Sequence, residues 1–479
     1  MTRPARSEHG AAVAGPKVAL AGALALALAG CALAPTYERP SPPVAAAFPE
    51  TAPPAAPTQA TPTAATLAAE IAWPDYLLDA RTRALVELAL AHNRDLRVAV
   101  LDVERARALL GVQQADRLPS VGVGATVDRS ADASRYTAGF ALASFELDLF
   151  GRVRSLTEAA AARLLASDEG RRAAQLSLVA AVASAELALR ADDELLAITE
   201  AVVASREASL SLVRTRFEGG VAAEPELRGA ESLVAAARAS VQALQRQRAQ
   251  DLNALVLLVG RPLPDDLPAP RSLTEHRYAD LPAGLPSQVL LQRPDVRAAE
   301  QQLIAAHADI GAARAAFFPR IALTGSVGTA STELSGLFGN TAWSFGGQLL
   351  QPLFDAGRNE ARLAATQAAR EIALAQYERA IQTAFREVAD ALAARATLGA
   401  QREALQAQAL AEAQRLALTE MLLSHGAASA LERLDAERAT LAARQAVVQA
   451  LLAERQNALL LYRVLGGGSL APLPAPSPR

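Results

Sequence analysis

Cysteine is almost absent. The 479-residue chain has one, Cys31, so neither a disulfide framework nor a cysteine-based metal site can form within a single copy. Aromatic residues are scarce too, 4% of a chain that is 51% hydrophobic. Alanine and leucine therefore carry the apolar content, as in long packed helices. Basic charge is not in excess. A net charge of −3 supplies no positive field to attract nucleic acid. The five histidines, His9, His92, His276, His307 and His425, are scattered, and none stands at metal-ligand spacing. P-loop, nucleophile-elbow and zinc motifs are missing, so the sequence points to no enzyme and to no metal or dissociable cofactor. Two methionines argue against a methionine-lined path for soft metals. The apolar run at residues 18–29 is too short for a membrane-spanning helix.

Proline is missing where it would matter most. Residues 152–217 contain none and only one glycine, Gly170, and strong helix formers dominate. A helix of that length extends roughly 100 Å at about 1.5 Å per residue. A matching unit recurs later in the chain. Asp95-Leu96-Arg97 repeats as Asp295-Val296-Arg297 and Leu118-Pro119 as Phe318-Pro319, an offset of 200. Gly151-Arg152 repeats as Gly357-Arg358, Gly220 as Gly426 and Leu258-Val259-Gly260 as Val464-Leu465-Gly466, an offset of 206. The extra residues fall between Pro319 and Gly357. Such a duplication governs the fold.

Each half reads as helix, two strands, long helix and return helix. The first repeat spans 76–260, with strands at 119–129 and 136–150, the long helix at 152–217 and a return helix at 224–259. A proline-rich connector occupies 261–290. The second repeat spans 291–466, with strands at 320–328 and 343–354, the long helix at 357–424 and a return helix at 431–465. The tail at 467–479 reads as disordered. A bulge near Ala143 explains the change of phase in the second strand, and Glu146 and Asp148, which alternate onto one face, fit a lumen-facing strand. Ser429 with Glu432 predicts a capping box. The two shorter helices of each half sum nearly to the long one, so stacked end to end they can run antiparallel beside it.

The amino terminus reads as an export signal at 1–30. Arg3, Arg6 and Lys17 precede the apolar run. It ends Leu28-Ala29-Gly30-Cys31, similar to a bacterial lipobox, with the single cysteine at the position that is lipidated. Acylation of Cys31 would anchor the chain to the outer membrane. Ala32 is not the aspartate associated with inner-membrane retention. Residues 31–75, rich in alanine, proline and threonine, read as an extended linker.

Ten of the 19 aromatic residues lie in or beside the four strands. Strands of about ten residues with one apolar face and flanking aromatics are the signature of an outer-membrane barrel. Val121, Val123, Ile321, Leu323, Trp343 and Phe345 mark the lipid face, and Thr324, Ser326, Ser344 and Gln348 the lumen. Four strands cannot close a barrel, and membranes do not tolerate open edges. Three copies would supply twelve.

Four stretches carry a family resemblance: Cys31-Ala-Leu-Ala-Pro-Thr-Tyr-Glu-Arg-Pro40, Ser144-Phe-Glu-Leu-Asp-Leu-Phe-Gly-Arg-Val-Arg154, Leu291-Gln-Arg-Pro-Asp-Val-Arg-Ala-Ala-Glu300 and Gln351-Pro-Leu-Phe-Asp-Ala-Gly-Arg358. The chain resembles the outer-membrane efflux protein family (TolC- and OprM-like), and within it the lipoprotein branch serving RND pumps. The resemblance implies a mainly α protein with a membrane β-barrel. A homotrimer would build a 12-stranded barrel and a long periplasmic α-helical barrel. It also implies a periplasmic adaptor and an inner-membrane RND transporter as partners, and an exit duct for small molecules as the function. Type I protein secretion and a lipid-anchored periplasmic coiled-coil scaffold are the competing readings. The family constriction lies at the start of the last long helix. Here that stretch places Leu431 and Asp435 on one face, where three copies would stack an apolar ring on an acidic one. Arg438 would reach Asp435 or a neighbouring helix, beside Glu432. The family's Arg-Tyr pair before the second turn is replaced by Leu422-Leu-Ser-His-Gly426.

Overall fold

The structure is a computed structural model that describes residues 33–49, 68–281 and 287–469. Its elements run in chain order. Helices α1 (Trp73–Tyr76), α2 (Ala80–His92) and α3 (Arg94–Ala115) lead to strands β1 (Val121–Arg129) and β2 (Ser134–Leu147). Helices α4 (Arg152–Glu218), α5 (Glu224–Val259) and α6 (Pro294–Ala315) come next. Strands β3 (Arg320–Ser331) and β4 (Thr341–Leu350) precede α7 (Arg358–Ser424) and α8 (Ala430–Val464). The two long helices are both 67 residues. Strand and helix ends differ from the sequence reading by a few residues, where Pro119 and Pro352 stop the ladders.

The chain divides into two compact units, and the boundary cuts each repeat rather than separating one from the other. Unit 1 takes residues 1–41, 103–166 and 299–377. Its centre is one antiparallel sheet in the order β1-β2-β3-β4. Strands β2 and β3, from different repeats, pair as tightly as the two hairpins do, and the bulge lies between Leu142 and Phe145. Beneath the sheet α4 packs on α6. Arg163 pairs with Asp309, and a Cβ added to Gly311 would lie 2.7 Å from Ser155 Oγ.

Unit 2 takes residues 42–102, 167–298 and 378–479. Here α4 and α5 form an antiparallel hairpin, tied by Arg238–Glu207 at 2.6 Å and Arg216–Glu226 at 3.2 Å. Helices α7 and α8 form another, tied by Arg402–Glu454 at 2.7 Å and by Thr440 Oγ1, which donates to the Glu412 carbonyl. The short helices stack end to end as their lengths require. Asn93 at the start of α3 donates to the Leu258 carbonyl at the end of α5. In the second repeat Arg293, just before α6, donates to the Val464 carbonyl at the end of α8. Gly260 and Gly466 both take positive φ there, and any Cβ on Gly260 would strike the His92 carbonyl. Tyr76 stacks on Tyr462 and Tyr278 at 4.1 and 5.3 Å and closes the core beside them.

Two terminal expectations need correction. The 31–75 linker is not free along its length. Tyr37 and Arg39 bind Glu300, Phe48 stacks on Phe385 at 5.0 Å, and Ala68 and Ala69 are buried. Low apolar content denies a segment its own core, but a few large side chains suffice to dock it on another. Residues 467–469 are not a disordered tail either. Gly467 sits against the Tyr462 ring, where a side chain would clash, and Gly468 donates its N–H to the Ala68 carbonyl at 3.1 Å. The export signal and Cys31, and residues 470–479, lie outside the described residues.

Candidate functional site

The sheet register sorts every strand residue onto one of two faces. Pairing of Val121 with Leu142, Val123 with Phe140, Phe140 with Val327 and Val327 with Trp343 carries one face across all four strands. Leu323, Ile321 and Phe345 share it through Phe145, Leu147 and Gly325. Val121, Val123, Ile321, Leu323, Trp343 and Phe345 thus stand together. Thr324, Ser326, Ser344 and Gln348 lie on the opposite face, where Ser326 and Ser344 hydroxyls meet at 2.8 Å and those of Thr126 and Thr137 at 2.6 Å. The apolar face is open, with Trp343, Phe345 and Val123 exposed. The outer edges of β1 and β4 have no strand beside them within the described residues.

Where strands become helices, charges are used structurally. Glu146 holds Arg152 through two hydrogen bonds of 2.7 Å and also accepts from Arg320. Asp148 accepts from the backbone N–H groups of Val153 and Arg154 and caps α4. Asp355 does the same for α7 through Asn359 N–H. Glu146 pairs with Ala322 and so stands on the face of Thr324, Ser326 and Gln348, as the lumen-facing reading has it, and acts there as a clamp. Asp148 lies beyond the end of β2 and is a helix cap.

Each long helix ends at a turn built on a left-handed glycine, Gly220 with φ 76° and Gly426 with φ 72°. Backbone bonds from Val221 to Arg216 and from Ala427 to Leu422 close them. Beyond the second turn the capping box forms. Glu432 N–H donates to Ser429 Oγ and the Glu432 carboxylate accepts from Ser429 N–H. These hydrogen bonds hold the Glu432 carboxyl below its ordinary range, so Glu432 is a cap in this structure. Leu431, at 70% exposure, touches no core. Asp435 is exposed and pairs with Arg415 of α7 at 3.2 Å, not with Arg438. Arg415 lies twenty positions upstream on the antiparallel neighbour, a partner that spacing along one helix cannot reveal. Arg433 donates to Ser209 Oγ at 2.9 Å and joins the two hairpins near their turns.

Sequence reasoning misses the amino-terminal clamp, although both of its halves lie in stretches that carry the resemblance. Arg39 grips Glu300 with bonds of 2.6 and 2.9 Å, and Tyr37 adds a third at 3.0 Å. Burial, followed by Glu300, pushes the Tyr37 hydroxyl up. His307 meets the Tyr37 ring edge-on at 5.5 Å. Burial and Arg370 hold His307 below its ordinary pKa. Among the described residues no group of three or more His, Cys, Asp or Glu is placed to hold a metal ion.

A four-stranded sheet contributed by both repeats, with one exposed apolar face, in a chain with two 67-residue helices, defines a class: an outer-membrane β-strand protein rich in long helices. Comparison with known proteins makes this particular. The outer membrane efflux protein family matches residues 85–261 and 285–467. Outer membrane protein OprJ of Pseudomonas aeruginosa is 43% identical over 464 residues, covering 93% of this chain and 94% of the relative. The probable efflux pump outer membrane protein TtgC of Pseudomonas putida is 40% identical over 458 residues, covering 93% and 94%. The open state of the MtrE outer membrane channel of Neisseria gonorrhoeae has a TM-score of 0.82 at 39% identity, covering 92% of this chain and 99% of that one. The chain belongs to the outer membrane efflux protein family. It is the outer-membrane channel of an efflux system, and its family is one of transport proteins rather than enzymes.

Proposed function

We propose that the protein is the passive exit duct of a tripartite RND-type efflux system. Three copies close a 12-stranded barrel in the outer membrane and continue it as a helical tunnel. A periplasmic adaptor and an inner-membrane RND transporter feed small molecules into it. The observation that carries this reading is the four-stranded sheet with an apolar face and two open edges, in a chain whose two long helices are of equal length. An open edge in a membrane leaves backbone groups unsatisfied, so further strands must come from further copies. Cys31 carries diacylglycerol and an N-acyl chain and no dissociable cofactor is used. The scaffold alternative has no use for such a sheet. Relatives named for toluene, solvent and antibiotic efflux support small organic cargo over secreted protein.

The narrow point lies at the second turn. Leu431 stands free to face copies of itself and Asp435 lies one turn on, held to α7 by Arg415. Planar-bilayer recording tests the duct and its gate together. The parent conducts in small steps with cation preference. Leu431→Ser with Asp435→Ser raises the conductance and weakens that preference. A parent that never conducts sinks the channel reading, and a double variant that conducts like the parent moves the gate elsewhere.

A further inference from the structure

The amino-terminal strap borders a cavity. Between residues 35–40, α6 and α7 lies a space of about 640 Å³, all of it within unit 1. Sequence spacing explains what lines it. Leu303, His307, Ile310 and Arg314 follow one another at helical intervals along α6, and Arg370 and Leu374 do so on α7. Each helix therefore gives the cavity one stripe of side chains. Tyr37 and Arg39, by gripping Glu300, fix the strap that forms the third side.

The half-buried polar groups of this wall are donors, namely Arg314, Arg370 and His307. Arg314 donates to the Leu33 carbonyl at 3.1 Å, and no carboxylate among the described residues pairs with it. A guanidinium carries five N–H groups, so most of its donors lack a protein partner. Arg370 donates its Nη1 proton to Glu371 at 2.6 Å and its Nε proton to His307 Nε2 at 3.2 Å. That bond fixes the histidine tautomer. With Nε2 accepting, the ring proton sits on Nδ1, and Nδ1 is buried without a partner. Burial, then Arg370, hold the His307 pKa below its ordinary value, so the ring offers a neutral N–H. The two acids that border the cavity, Glu38 and Glu371, are exposed, where water and salt screen them. A buried donor left unpaired is costly, and an incoming acceptor relieves that cost.

We propose that this cavity binds the phosphate group of a membrane phospholipid. Phosphate suits the donor set, because a guanidinium can grip two of its oxygens and the Nδ1–H can take another. Leu303, Ile310 and Leu374 set an apolar wall beside these donors. The glycerol and first acyl carbons of a lipid would cover that wall, whereas a free phosphate would leave it bare. The position agrees with this source. Helix α6 ends at Ala315 and β3 begins at Arg320, so Arg314 stands at the foot of the sheet that enters the membrane, where a basic pocket meets lipid headgroups. A lipid bound here touches the strap, α6 and α7 together, and ties them to the membrane without a covalent bond.

Native mass spectrometry reads the site directly. The full chain in detergent is stripped of lipid and given phosphatidylglycerol. One phosphatidylglycerol per chain should survive removal of the micelle. Diacylglycerol, which has the same apolar body and no phosphate, should not. Arg314→Gln with Arg370→Gln should cut retention roughly tenfold or more, the loss expected of a charge-assisted hydrogen bond. Arg386→Gln, exposed further along α7, should retain the parental level. His307→Phe keeps an aromatic ring against Tyr37 and removes the Nδ1 donor, so it should also weaken retention, and it carries the test if the arginine pair does not fold. A parent that retains no phosphatidylglycerol, equal retention of phosphatidylglycerol and diacylglycerol, or parental retention by His307→Phe or by a folded arginine variant overturns the site. Displacement of the lipid by an equal concentration of inorganic phosphate overturns the lipid as its occupant in favour of a free anion.

Discussion

Asp192 shows how one buried carboxyl sets a pH dependence. It lies on α4 with little exposure, and its Oδ2 has no hydrogen-bond partner among the described residues. Burial, then the hydrogen bond and charge of Asp251, then Asp193, push its carboxyl up to about 7, while Arg248 opposes them. The folded pKa lies above the unfolded value of about 4. Between these values the folded chain keeps a proton that the unfolded chain has lost, so stability falls as pH rises from about 4 to about 7. Asp192→Asn removes the charge and keeps the shape. Thermal melts should show the variant more stable than the parent at pH 8, by on the order of 1–2 kcal/mol after local relaxation, with a smaller gain at pH 5. The same gain at both pH values would assign the effect to packing. Glu186 contrasts with it. Burial also raises its carboxyl, but Arg190 and Arg81 stand at 3.1 and 3.2 Å. Composition could not distinguish these two acids, because both sit in the same charged stretch of one helix. Only the packing of α5 and of α2 against that helix tells them apart.

The elements were more legible than their partners. Proline-free runs forecast both long helices, the glycine turns forecast their ends, and the phase change near Ala143 forecast the bulge between Leu142 and Phe145. Alternation placed Leu323 and Ser326 on opposite faces, and the register agrees. Which face meets lipid is decided by chemistry. A charge at mid-bilayer on the lipid side costs about 2–4 kcal/mol, whereas the lumen is wet. Leu323→Arg should therefore deplete the heat-resistant outer-membrane species seen on unboiled gels, and Ser326→Arg should leave it at parental levels. Equal depletion by both would mean that the sheet is not half in lipid. The roles of Glu146 and Asp148 were hidden because neither depends on the strand's own alternation. Glu146 grips Arg152 and Arg320, and Asp148 caps α4.

For the whole molecule, the amino-terminal strap bears on how the chain would be anchored. Residues 33–41 are fastened to α6 by Tyr37, Arg39 and the bond from Arg314 to the Leu33 carbonyl at 3.1 Å. A lipid on Cys31 would then be tethered two residues from a fixed point, rather than at the end of a loose linker. Radioactive palmitate should label the parent and fail to label Cys31→Ser. Label that persists in the variant would overturn acylation at this residue. The sequence by itself determined the duplication, the helix lengths, the strand faces and the family, because periodicity, proline exclusion and short motifs are local and survive in one dimension. Tertiary structure alone decided that Arg415 holds Asp435, that Glu300 holds the strap, and that Gly311 meets Ser155. Those facts depend on which distant helices meet and in what register, and antiparallel packing of long helices brings together residues whose separation along the chain carries no signal.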